Sequence, residues 1–197
     1  MGNYVIKFNE IEKARLTFES NEPRDLFYRA ATELVRLAVD NKTSLSVTEA
    51  LAVLLQTWNR AHYRYRKFDM EHFKKIDSLI RKHAEALASY RRRTIENLAD
   101  SERPVLSGLF TEFEDVLGPV GAAKALHLLA PRFFPLWDRA IAHAYKTTLG
   151  KAGTNGDEYW RFMEIVRNQC FELKGTCDDL LKRIDEYNYC KFTKHWL

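Results

Sequence analysis

The sequence contains few residues that interrupt helices and few that build metal sites or disulfide frameworks. Glycine occurs eight times and proline five times in 197 residues, so the long apolar runs at helical spacing favour helices over a sheet. The three cysteines match no zinc spacing and are too few for a four-cysteine iron–sulfur cluster. The six histidines form no metal-binding pattern, and no cofactor is expected.

Targeting and membrane signals are also missing from the sequence. No apolar run reaches the roughly 20 residues that span a bilayer, and the N-terminus has no signal-peptide pattern. The odd number of cysteines fits a reducing compartment, so a cytoplasmic monomer without a membrane partner is expected. The net charge of +4 permits contact with nucleic acid without requiring it.

The composition is that of a packed helical protein. Hydrophobic residues make up 46% of the chain and aromatic residues 13%, enough for one all-α domain. Ser46 and Glu49 have the spacing of a capping box, which predicts a helix to about residue 64. Another helix is predicted over about 137–149, and residues 150–156 are expected to be a flexible linker. The sequence does not decide whether residues 1–20 form an arm, a strand pair or a helix.

A glycine-bounded turn divides the middle of the chain. The segment Gly118-Pro119-Val120-Gly121-Ala122 predicts that one helix ends at Gly118 and that a new helix begins after Gly121. The first turn of the new helix directs unpaired N–H groups outward, where they can bind a phosphate. An ordinary turn between two antiparallel helices is the alternative interpretation.

An acidic residue follows this turn at the start of another predicted helix. Asp138 comes directly after Trp137 and a proline-bounded apolar loop. One interpretation is a helix N-cap. The other is a carboxylate in a partly dry pocket, where it could stabilise a positive centre or activate a water.

Together, the Gly-x-Val-Gly turn, the proline-containing loop and Asp138 resemble the core of the helix-hairpin-helix (HhH-GPD) DNA glycosylase superfamily. The resemblance covers about 30 residues in detail. It implies a single domain over residues 1–197, a two-lobed helical bundle with a helix-hairpin-helix motif and a cleft between the lobes. The implied parts are a helical lobe at 24–117, a hairpin and catalytic-aspartate segment at 118–150, and closing helices at 151–197.

The same resemblance implies roles for individual residues and a partner. Double-stranded DNA would be held at its backbone by the hairpin, and Asp138 would be the catalytic acid. A monovalent cation would bind the carbonyls of Gly118 and Gly121. The hairpin residues are Gly118, Val120, Gly121 and Ala122.

One position departs from the family pattern. Members that also cleave the strand carry a lysine two residues after the last hairpin glycine, where this chain has Ala123. Its lysine is Lys124, and one step along a helix rotates a side chain by about 100°. Base removal without efficient strand cleavage is therefore favoured, and a lyase that uses Lys124 is the second interpretation.

The helix before residue 64 carries the candidate base-pocket and wedge residues. The segment Leu54-Leu55-Gln56-Thr57 is similar to the family's helix end before its strand-probing residue. Side chains that could read, stack on or replace a flipped base are Gln56, Trp58, Asn59, Tyr63 and Trp137. Arg60 and Arg64 begin a basic strip that could contact phosphates. It continues through Arg66, Lys67, Lys74, Lys75, Arg81, Lys82, Arg91, Arg92 and Arg93. The alternative for Trp58 is a place in the core. The alternative for the strip is a solvated helix face.

The expected reaction is hydrolysis of the N-glycosidic bond of a damaged or modified base by a nucleoid-associated enzyme. DNA repair is the default role that the resemblance implies. A hypermodified phage base as the target would instead give an antiviral role. A non-catalytic helix-hairpin-helix DNA-binding module and a helical protein-interaction domain remain as other classes of function.

Overall fold

The computed structural model describes residues 5–58, 60–64, 66–173 and 179–197, without the side chains at 58, 60 and 61. Every regular element in these ranges is helical, which confirms the all-α class. The longer elements are α1 (Phe8–Asn21), α2 (Asp25–Val39), α3 (Val47–Trp58), α4 (Arg60–Tyr63), α5 (Met70–Lys82), α6 (Ala84–Arg91), α7 (Arg103–Leu129), α8 (Arg139–Ala144), α9 (Gly156–Leu173) and α10 (Leu180–Asn188), followed by a π-helical turn at Tyr189–Thr193.

The N-terminal segment that the sequence left open is a helix. The apolar side chains of Ile11, Ala14 and Phe18 recur at helical spacing and are buried. Helix α1 packs on α10, and the Cys190 thiol donates to the Ala14 carbonyl at 3.6 Å. Helix α1 and the C-terminal segment are therefore neighbours in space.

The predicted start of α3 is confirmed, since Ser46 Oγ accepts from the Glu49 amide at 3.1 Å and Glu49 Oε2 accepts from the Ser46 amide at 2.6 Å.

Helix α7 contains the glycine turn. Gly118 has φ 71° and ψ 165°, outside the helical region, so α7 consists of two helical segments that meet at a kink. The predicted helix end at Gly118 is confirmed, but the second segment resumes directly after it and not after Gly121. A side chain at Gly118 would meet the His62 ring, whose Nδ1 lies 3.0 Å from an ideal Cβ position. The break thus brings α7 against the end of α4.

The prediction of a helix over about 137–149 is wrong in its length. The observed α8 spans only Arg139–Ala144. Lys146 has φ 56°, and the Thr147 amide donates to the Ala142 carbonyl at 2.9 Å, which closes the helix through a left-handed residue.

The glycine-rich segment 150–156 is anchored, in contrast to the flexible linker that its composition predicts. Asn155 is buried, its backbone amide donates to Glu114 Oε2 at 3.1 Å, and its side-chain amide donates to Glu114 Oε1. Glu114 lies on α7 and is itself fully buried. Burial raises the pKa of Glu114, and the hydrogen bonds from Asn155 oppose this effect. The loop is fixed by a long-range contact that local composition does not reveal.

The buried apolar residues of the described ranges form one connected core. Its centre is aromatic, since Phe110 on α7 stacks on Tyr159 of α9 at 4.0 Å and Trp137 lies beside both rings. Within the described part of the chain, no helix combines the length and apolar character needed to cross a bilayer.

Candidate active site

Asp138 is held by two hydrogen bonds at the start of α8. Its Oδ1 accepts from the Ile141 amide at 2.8 Å, which confirms the predicted N-cap. Its Oδ2 accepts from the Thr193 hydroxyl at 3.0 Å. The side chain is half-buried. The carboxylate is therefore fixed in direction, by its own helix and by the C-terminal segment.

The same carboxylate lines a partly enclosed cavity of about 180 Å³. An engineered apolar cavity of about 150 Å³ accommodates a benzene ring, so this volume is suited to one planar ring system. Residues from distant parts of the chain form its walls: Phe18, Glu22, Arg24, Lys124, Leu136, Trp137, Asp138, Asp185 and Tyr189.

Lys124 faces this cavity, whereas Ala123 is fully buried in the core. The one-residue shift from the family pattern therefore does not point the lysine away from Asp138. Burial lowers the pKa of Lys124 to about 8, and the charges of Asp185 and Asp138 oppose this effect. An amine in this state is partly neutral near pH 7.

Asp185 is a cavity residue that sequence reasoning missed. It lies on α10, which reaches the site only because α10 packs on α1. Burial raises the pKa of Asp185 to about 7; Lys182 lowers it, and Asp138 raises it further. The only signal in the sequence is an acid on an otherwise amphipathic helix, which is common on solvated faces.

A hydrogen-bonded wall closes the cavity between the chain ends. Arg24 donates from Nε to Glu22 Oε1 at 2.7 Å and from a terminal nitrogen to Oε2 at 2.6 Å. The Tyr189 hydroxyl also donates to Glu22 Oε2 at 2.6 Å. Chiefly through the Arg24 hydrogen bonds, the pKa of Glu22 falls to about 2. This wall is charged and hydrogen-bonded, and no sequence pattern indicated it.

An open groove of about 730 Å³ lies on the other side of Asp138. Val120 borders it close in sequence to the Gly118 break, Arg139 contributes a positive charge and His143 an imidazole ring. Gly121 and Ala122, which the resemblance assigns to the DNA-binding hairpin, are both buried. The cavity and the groove thus share Asp138.

The predicted base-pocket residues are divided in the structure. Trp137 lines the cavity, and its indole N–H donates inward to the Thr147 hydroxyl at 3.3 Å. Gln56 is exposed on α3 and is not among the described lining residues. The half-buried Tyr63 is also absent from that set, and its hydroxyl pairs with His72 Nε2 at 2.9 Å. Asn59 and the side chain of Trp58 lie outside the described residues.

The basic strip after α4 is partly neutralised. Arg64 is exposed, and the side chain of Arg60 lies outside the described residues. Downstream, four basic residues of the strip make ion pairs of 2.6–2.7 Å: Lys75 with Glu71, Arg81 with Asp77, Lys82 with Glu112 and Arg93 with Glu102. Exposed pairs of this kind contribute little to stability, but they reduce the positive potential of the strip.

A buried histidine positions the loop that carries Trp137 and Asp138. His127 Nδ1 contacts the Phe134 carbonyl at 2.8 Å, and Nε2 contacts the Tyr28 hydroxyl at 2.8 Å. A carbonyl only accepts, so Nδ1 carries the proton and Nε2 accepts from Tyr28. Burial lowers the pKa of His127 to about 4. The neutral ring therefore joins α2, α7 and the loop.

His127 predicts a loss of stability in acid. Its pKa is about 4 when folded, against 6.5 for the free side chain, so its contribution is complete above pH 6.5 and is lost as pH falls towards 4. Urea titrations at pH 7 and pH 4.5 measure the free energy of unfolding. Between these pH values it should fall by about 2–3 kcal/mol more for the native protein than for His127→Gln. Glutamine can make both hydrogen bonds without titrating. Parallel pH dependence in the two proteins would contradict this assignment.

No group of three or more His, Cys, Asp or Glu side chains among the described residues could hold a metal ion. Comparison with protein-family models, with curated proteins and with solved structures finds no match. Function must therefore be inferred from the site itself.

Proposed function

We propose that the protein is a DNA glycosylase that hydrolyses the N-glycosidic bond of a flipped damaged or modified base. The observation that carries the proposal is that Asp138 lines both a partly enclosed cavity and an open groove. An extruded nucleotide placed there would have its base in the cavity and its backbone in the groove. Its sugar would then lie near the Asp138 carboxylate.

The groove is compatible with a hairpin that binds the DNA backbone. Gly118 breaks α7, Val120 borders the groove, and His62 at the end of α4 packs on Gly118. The end of the helix with the proposed wedge residues would thus lie beside the hairpin. A two-lobed helix-hairpin-helix architecture, a monovalent cation on the Gly118 and Gly121 carbonyls, and a monomeric state belong to this proposal.

The chemistry follows from the charge that develops at the sugar. As the base leaves, the sugar becomes a cation, and a fixed carboxylate beside it lowers the barrier while orienting a water towards C1′. Phe18, Leu136 and Trp137 provide apolar walls, which exclude water and strengthen that interaction. The hydrogen bonds from Ile141 and Thr193 keep the Asp138 oxygens in position.

A second candidate activity is favoured by Lys124. Its partly neutral amine faces the same cavity as Asp138, so it could attack C1′ in place of water and displace the base. An imine would then form as the C1′–O4′ bond opens, with the amine proton passing to O4′. The protein would then be a glycosylase with lyase activity, the alternative to base removal alone.

The proposal is tested by a screen for released bases. Native protein and Asp138→Asn are incubated with alkylated, deaminated and oxidised duplex DNA and with phage DNA that contains hypermodified cytosine. Mass spectrometry then identifies free bases, and abasic sites are counted. Release by the native protein but not by the variant is expected. DNA binding without release would favour a non-catalytic DNA-binding module, and no binding at low salt would favour a protein-interaction domain.

A further inference from the structure

Two carboxyl groups from different parts of the chain line the same cavity. Asp138 comes from the start of α8 and Asp185 from α10, and both belong to the lining with Lys124. Like charges that share a small site cannot both ionise without cost, so one of them tends to keep a proton. The surroundings of the two groups decide which one.

The hydrogen bonds assign the negative charge to Asp138. Its two oxygens accept from Ile141 and Thr193, and donors of this kind favour a carboxylate. For Asp185, burial outweighs every neighbouring charge and raises its pKa to about 7. Its strongest cationic neighbour, Lys182, is shared with Asp25 at 3.2 Å and Glu186 at 3.0 Å.

The charged and titratable groups around Asp185 come from every wall of the cavity. Lys182 and Glu186 lie on α10 itself, Lys124 on α7 and Asp138 at the start of α8. Asp185 has five further neighbours. Glu22 and Arg24 lie on the turn between α1 and α2, Tyr28 lies on α2, and Tyr189 and Cys190 lie in the C-terminal segment.

We propose that Asp185 is the general acid that protonates the departing base while Asp138 faces the sugar. This assignment rests on the proposed glycosylase function. The C1′–N bond breaks with its electron pair on the base, and the Asp185 O–H proton moves to a nitrogen or oxygen of that base. Water adds to C1′, and its proton restores Asp185. The products are the free base and an abasic sugar, so the step needs no other reactant.

The leaving group provides the discriminating test. A neutral base departs as an anion unless it is protonated, whereas a purine methylated at N3 or N7 is already cationic and departs neutral. General acid catalysis contributes about 10²–10⁴-fold. For Asp185→Asn, release of neutral bases should fall by at least about 100-fold. Release of cationic methylated purines should stay within about threefold of the native rate, since no acid is needed.

The experiment uses the full chain and one mixture of substrates. Duplex DNA that contains uracil, hypoxanthine or hypermodified cytosine supplies neutral bases, and methylated DNA supplies cationic purines. Asp179→Asn is the matched control, because Asp179 precedes α10, is exposed and is not among the described lining residues. Its rates should equal those of the native protein on all substrates.

Three outcomes would overturn the assignment. Equal losses on neutral and cationic bases in Asp185→Asn would indicate a structural or electrostatic role. Undiminished release of neutral bases would exclude an acid at this position, and a native protein that releases cationic bases alone would need no acid. Release of no base by the native protein would instead refute the proposed function itself, which keeps the two failures distinguishable.

Discussion

Replacing Asp138 by asparagine is expected to slow base release in single-turnover assays by about 10²–10⁴-fold. Asparagine is nearly the same size but carries no charge, so it cannot stabilise a cationic sugar. DNA binding should persist, because removing a negative charge from the groove that would hold the backbone does not weaken phosphate contacts. The measurement combines excess enzyme on the base identified in the screen with a binding titration at fixed salt.

The structural role of Asp138 has to be separated from its chemical role. It caps α8 and accepts from Thr193, and loss of a cap costs about 0.5–2 kcal/mol. Asp138→Ser can keep the cap without a carboxylate, and Thr193→Val removes the other hydrogen bond while leaving the charge. Base release should be lost in Asp138→Ser and largely retained in Thr193→Val, with both proteins folded. Full activity in Asp138→Asn, or losses that follow unfolding in all three variants, would refute the charge-based mechanism.

Those parts of the site that depend on local sequence could be predicted. Gly118 is where the helix breaks because only glycine adopts a positive φ without strain. Asp138 begins a helix because its side chain can accept from an amide three residues later. Trp137 precedes it and therefore shares its cavity. Each of these features is fixed within a few residues of chain.

The other walls of the cavity could not be predicted, because they depend on how the chain ends meet. Glu22 and Tyr189 form a hydrogen bond across 167 residues, and Asp185 reaches Lys124 only through the packing of α10 on α1. An amphipathic helix shows which side is buried but not which other helix covers it. The ambiguity over residues 1–20 therefore concealed Phe18 and the packing that brings Asp185 to the site.

Two local interpretations were also overruled by the structure. The helix after Asp138 is shorter than its composition suggests because Lys146 adopts a positive φ and the Thr147 amide donates back to the Ala142 carbonyl, which ends the helix locally. Residues 150–156 are held by the buried Glu114 although they are rich in glycine. That second contact is distant in sequence, so a local pattern cannot contain it.

Replacing Lys124 by methionine is expected to abolish covalent trapping of the protein on DNA. The substrate is a duplex with a preformed abasic site, which requires no base to leave. The neutral amine of Lys124 would condense with the sugar aldehyde, release water and form an imine that sodium borohydride reduces to a stable link. Because the pKa of Lys124 is about 8, the yield should rise about tenfold from pH 6 to 7 and level off above about pH 8. A gel shift under denaturing conditions measures the product.

Lys124→Arg separates the nucleophile from the charge. Arginine keeps a positive side chain facing the cavity, but it does not deprotonate in proteins and cannot form the imine. If Lys124 acts as the nucleophile, neither variant is trapped, while both remain folded and bind DNA. Trapping by the arginine variant would place the reactive amine elsewhere. If the native protein releases a base but is never trapped, the enzyme uses water, and Lys124 serves as a cation beside the Asp138 and Asp185 carboxyls.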